Sequence, residues 1–166
     1  MKTLNILVVA TTILLSANAA HAYPHSKLYT LKGEAKAGTL IPPVEATSNV
    51  PFNKRFNALT TEQQDQVRAK FDTLGENDTP PYPISGLQAV YKPLINANKT
   101  YGYNRPLKLT VTVDKQGDVS NVDIHSDVNS RLTAYVERSL RRTKFEPAMC
   151  NGIACEMNFP VDIAFN

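Results

Sequence analysis

Leu107, Leu109, Val111 and Val113 alternate with Lys108, Thr110, Thr112 and Asp114. A period of two puts the apolar set on one face, so this segment predicts a half-buried strand. Asp114-Lys115-Gln116-Gly117 follows as a short hairpin loop, with Gly117 free to take a positive φ. The return strand is predicted from Val119 to about His125. Val122 and Ile124 are in phase and Val119 is out of it, which predicts a bulge or a late start to pairing. A last strand is predicted from Met157 to Phe165. Phe159, Val161, Ile163 and Phe165 face the core; Asn158, Pro160, Asp162 and Ala164 lie opposite.

Between the strands the period changes. Thr60 followed by Gln63 predicts a capping box. Val67, Phe71 and Leu74 then form one narrow apolar stripe, ended by Gly75 and Pro80-Pro81, giving an amphipathic helix over 59–76. A second helix is predicted over 85–98 with Leu87, Val90, Tyr91, Leu94 and Ile95 on one side, kinked or broken at Pro93. A third, over 131–143, is capped by Asn129 or Ser130 and carries Leu132, Tyr135, Val136 and Leu140. The order helix–strand–strand–helix–strand predicts an α+β fold of two layers. A three-stranded antiparallel sheet has helices packed on one face and a polar second face. This domain spans 79–166, preceded by an extended leader (23–58) with few apolar periodicities and by the short helix.

The first 22 residues read as an address. Lys2 precedes a twelve-residue, mostly apolar run from Leu4 to Leu15, and Ala20-His21-Ala22 is a small-x-small cleavage signal. Twelve residues fall short of the about 20 needed to span a bilayer, so a cleaved secretory signal is expected and no stable membrane span after it. Cys150 and Cys155 are the only cysteines. In an oxidising compartment such a pair is expected to form a disulfide, and no further ligand completes a zinc site.

The whole chain, 166 residues with 42% hydrophobic and 20% charged, is of ordinary globular composition. A formal charge of +3 is too weak for a dedicated nucleic-acid binder. No catalytic residues, metal ligands or cofactor are expected. His25 and His125 have no Ser/His/Asp or metal spacing around them, and Asp114, Asp118 and Asp123 lack the spacing of a calcium loop. Tyr23-Pro24-His25 has its histidine third, as an amino-terminal copper site requires, but Pro24 has no N–H to give up. Two features have two readings each. Pro160 cannot donate to a ladder and so favours an edge. It either blunts that edge against aggregation or sets the register of a docking edge on which Asn158, Pro160, Asp162 and Ala164 turn their backbone groups outward. The cluster Arg138, Arg141, Arg142 and Lys144 is either a solvated helix end complementing the dipole or a surface meeting an acidic partner segment.

Three stretches in order, Pro81-Tyr82-Pro83, Leu109 to Ile124 with its Gly117-x-Val119-x-x-Val122 core, and Leu140 to Pro147 with Phe145-Glu146-Pro147, resemble the C-terminal domain of TonB, the periplasmic energy transducer of Gram-negative bacteria. The resemblance covers about residues 80–166. It implies that the last strand receives a short extended segment of an outer-membrane transporter as an added strand. Tyr82, Pro83, Arg138, Arg142, Asn158, Pro160, Asp162 and Ala164 would then be partner-binding. A cleaved signal departs from the membrane helix that known transducers carry. The family's frequent Trp is Thr143 here, and Ser85 stands where well-studied members have a basic residue. The function expected is a periplasmic protein binding a TonB-dependent transporter or another envelope partner. The alternatives are an envelope scaffolding module like the TolA domain, or an inhibitor of secreted enzymes. N-terminal sequencing of the exported protein should read Tyr23-Pro24-His25; an intact Met1 in the membrane fraction contradicts the signal.

Overall fold

β4 (Leu107–Val113) is the centre of the sheet because its apolar face is buried along its whole length. The computed structural model describes residues 27–34, 44–103 and 105–164. The signal, Tyr23 to His25 and Phe165 lie outside the described residues. β4 pairs antiparallel with β5 (Val119–Ile124) on one side and β9 (Met157–Ile163) on the other, giving the order β5-β4-β9. The register shifts between Thr112 and Val113, so Val119 pairs late, at the point where the sequence puts it out of phase. Gly117 closes the hairpin at φ +80°, and a Cβ there would lie 2.1 Å from the Phe145 carbonyl oxygen.

α2 (Gln88–Tyr101) and α3 (Ser130–Leu140) pack on each other and cover the apolar sheet face with Val90, Leu94, Ile95, Leu132, Val136 and Leu140. Asn129 caps α3, its side chain accepting from the Leu132 N–H at 2.9 Å. Of the kink or break expected at Pro93, the break does not occur: α2 runs on through it. A proline there leaves the Ala89 carbonyl without its intrahelical donor. The hydroxyl of Thr143, a buried polar side chain, donates to that oxygen at 3.4 Å. A residue from the α3–β6 connection thus satisfies the group that the proline orphans.

The leader departs from the sequence reading. Tyr29–Lys32 (β1) and Glu45–Ser48 (β2) form an antiparallel pair, and Ala46, Val50, Phe52 and Leu59 are buried in the same core as the sheet. Their spacing has neither helix nor strand period, so periodicity could not reveal them. α1 (Thr61–Arg68) starts on the expected capping box, with Thr60 and Gln63 bonded reciprocally. It stops well short of residue 76. The Arg68 guanidinium donates to the carbonyls of Gly75, Glu76 and Asp78 and so turns the following chain back on itself. Two short ladders complete the fold, β3 (Tyr82–Pro83) with β6 (Phe145–Glu146) and the hairpin β7 (Ala148–Cys150) with β8 (Ile153–Cys155). Asn151 and Gly152, both at positive φ, turn that hairpin, and Cys150–Cys155 clamps it as a disulfide.

Replacing Thr143 with Val should cost about 1 kcal/mol in urea unfolding, the usual net worth of one internal hydrogen bond. Combined with Pro93→Ala, which restores the helical donor, the same change should cost measurably less. Equal costs in both backgrounds would refute the pairing.

Candidate functional site

The edge of β9 is set by one phase. The His125 N–H donates to the Lys108 carbonyl, so the even-numbered residues of β4 turn their backbone groups toward β5. Alternation then turns those of Leu107, Leu109, Val111 and Val113 toward Ile163, Val161, Phe159 and Met157. Asn158, Pro160 and Asp162 are left facing away from the sheet. The Tyr91 hydroxyl confirms this direction by donating to the Asp162 carbonyl at 3.4 Å from outside the ladder. Pro160 therefore removes no bond from the sheet; it leaves a gap on the outer edge between the Asn158 and Asp162 amides. Among the described residues no strand pairs with that edge.

The edge is flanked by residues from the N-terminal half. Phe71, just beyond α1, places its ring 6.1 Å from that of Phe159, which meets Phe145 at 5.4 Å. Lys70 lines three neighbouring grooves along β9. The first, of about 610 Å³, also holds Asp72, Asp78, Glu156, Asn158 and Pro160. The second, of about 420 Å³, holds Lys108, Thr110, His125, Pro160 and Asp162. The third runs between Val50, Gln66, Ala69, Tyr91 and Asp162. Lys108 Nζ lies 3.6 Å from the Asp162 carboxylate. Lys70 as a residue is exposed, yet the atoms packed about its ammonium desolvate it and lower its pKa, with the Asp162 carboxylate acting in the opposite sense.

The residues singled out from the sequence separate into groups. Asn158, Pro160 and Asp162 line the edge, and Ala164 follows the strand as an exposed residue. Tyr82 is 1% exposed and Pro83 is buried, both in the β3–β6 ladder, so neither presents a side chain to a partner. The Tyr82 hydroxyl has no hydrogen-bond partner among the described residues. Arg138 is exposed on α3 and Arg142 in the turn just after it, and α3 packs beside β5, the opposite edge of the sheet. Arg142 lines a groove with Lys92 and Tyr135 between the helices. Sequence reasoning missed Lys70, Phe71, Asp72 and Tyr91 as neighbours of the edge. The narrow Val67–Phe71 stripe signalled a packing face, but nothing in it named β9 as the surface.

β5 is also an edge, but a poorer one. Its ladder with β4 carries the register shift, and the Arg141 guanidinium donates to the Ser120 carbonyl at 2.9 Å. Among the described residues no group of three His, Cys, Asp or Glu could hold a metal ion, and no helix is long and apolar enough to cross a membrane.

Burial pushes the Tyr91 hydroxyl up to about 12, with the Asp162 carboxylate adding to the effect; burial raises that of Tyr82 further still. Both fold states bind the proton below the ordinary tyrosine value of about 10. As pH rises from there through about 12 the folded state alone retains it, so stability falls over that window. Tm measured from pH 8 to 12 should drop above pH 10, and Tyr91→Phe should flatten part of the drop. An unchanged slope in the variant would contradict the assignment.

Residues 99–166 match the family model of the Gram-negative bacterial TonB protein C-terminal. No curated protein and no solved structure matches the chain. The matched span opens in the last turn of α2 and takes in β4, β5, α3 and β6 to β9; α1 and residues 70–73 lie outside it. The segment 99–166, which carries the sheet, the third helix and the edge strand, is thus similar to the TonB C-terminal domain family.

Proposed function

We propose that the protein is a periplasmic, TonB-like binding module that takes up an extended segment of an outer-membrane transporter, or of another envelope protein, by strand addition along β9. The observation that carries this reading is the outward phase of Asn158, Pro160 and Asp162 on a seven-residue strand whose outer edge pairs with no strand among the described residues. Main-chain hydrogen bonds would supply the affinity and the flanking side chains the choice. Four groups are on offer: the Asn158 N–H and carbonyl, the Pro160 carbonyl and the Asp162 N–H. An incoming strand pairs with these and passes over Pro160 without a donor, which fixes its register. The role is binding rather than catalysis, in transport or its regulation, after removal of the signal at Ala22.

Titrating the ¹⁵N-labelled protein with a peptide from the extended N-terminal segment of an outer-membrane transporter should shift amides of β9 first, those of Asn158 and Asp162 most. Shifts that avoid β9 and collect on β5 or α3 would overturn the reading. A pull-down from outer-membrane extract should recover transporters; recovery of peptidoglycan-linked proteins alone would favour a scaffolding role.

A further inference from the structure

The surroundings of β9 differ in charge from one end to the other. Beside Asn158, at the start of the strand, the groove carries the carboxylates of Asp72, Asp78 and Glu156 together with Lys70, a set with net negative charge. Those of Asp72 and Glu156 make no ion pair among the described residues. The Asp78 carboxylate accepts from the Gly75 and Asn151 N–H groups. Beside Asp162, at the other end, two ammonium groups, Lys70 and Lys108, share one carboxylate and leave a positive surplus. Asn158 and Asp162 are four residues apart, about 13 Å at roughly 3.3 Å per residue. Side chains of an added strand at i and i+4 share a face and reach these two ends.

Resting on the docking reading above, we propose that the β9 groove selects a bipolar extended peptide. Its cationic side chain meets Glu156 and Asp72, and its anionic side chain four residues away meets Lys70 and Lys108. The wall supplied by Lys70 and Asp72 belongs to this chain's N-terminal half, outside the matched family span. It gives the binding edge a direction that the backbone of β9 alone cannot. An added strand has nearly the same hydrogen bonds whichever way it runs, because Pro160 withholds one donor in both cases. Charge order breaks that tie: the favoured order makes two attractive contacts and the reverse order two repulsive ones.

The test uses the full mature chain and three seven-residue β-prone peptides: one with Lys second and Glu sixth, one with those two exchanged, and one with Thr at both positions. At low salt both charged peptides should bind about tenfold more tightly than the Thr peptide, since exposed pairs are worth up to about 1 kcal/mol each and about 1.4 kcal/mol is tenfold. The two should run in opposite directions along β9, which a spin label on the peptide N-terminus reads as line broadening at opposite ends of the strand. The gain over the Thr peptide should shrink with added salt and in Lys70→Gln, and shrink further in Lys70→Glu. Equal binding of all three peptides at the β9 amides overturns the charge selection and leaves the docking edge standing. Binding of none of them overturns the docking reading itself.

Discussion

A single alternation along β9 decides two things at once. Side chains alternate across a strand with period two, and backbone donors and acceptors alternate from side to side with the same period. Burying Phe159, Val161 and Ile163 therefore commits their amides to β4, and the same choice turns Asn158, Pro160 and Asp162 outward. A slip of one residue would expose three apolar side chains and bring Pro160 into the ladder, where it has nothing to donate. Core packing thus holds the outer edge in register without any contact to that edge. An added strand meets a template whose phase is fixed by the interior.

The N-terminal half gives the edge its surroundings. Phe71 anchors the segment after α1 on Phe159, and Arg68 gathers the carbonyls of the loop beyond it. Lys70 and Asp72 lie either side of that anchor and line the grooves along β9. From the helix layer, Tyr91 reaches the Asp162 carbonyl, so the far end of the edge is already tied to the core. The segment matched by the family model and the one before it together line the grooves along β9. The disulfide hairpin adds to the same groove through Cys150.

Much of the fold was legible because its elements are amphipathic and regular. β4, β9 and α3 have clean periods, and Asp114 to Gly117 is a turn by composition. The capping box of α1 was readable from Thr60 and Gln63, but its end was not. Arg68 acts on carbonyls seven to ten residues ahead, a contact that leaves no periodic trace. α2 defied its proline because the compensating donor, Thr143, lies 54 residues beyond Ala89. The leader's buried Val50, Phe52 and Leu59 are aperiodic, and the β3–β6 pair is two residues long. The edge residues Asn158, Pro160 and Asp162 could be read from strand phase. Tyr82 is different: a surface role was inferred from resemblance, and the structure buries it.

Residue-by-residue amide hydrogen exchange of the free protein tests the shared phase most directly. The account predicts slow exchange at Phe159, Val161 and Ile163, whose N–H groups face β4, and fast exchange at Asn158 and Asp162, whose N–H groups face outward. Uniform protection along β9 would mean that its outer edge is already paired, and the docking account would fail.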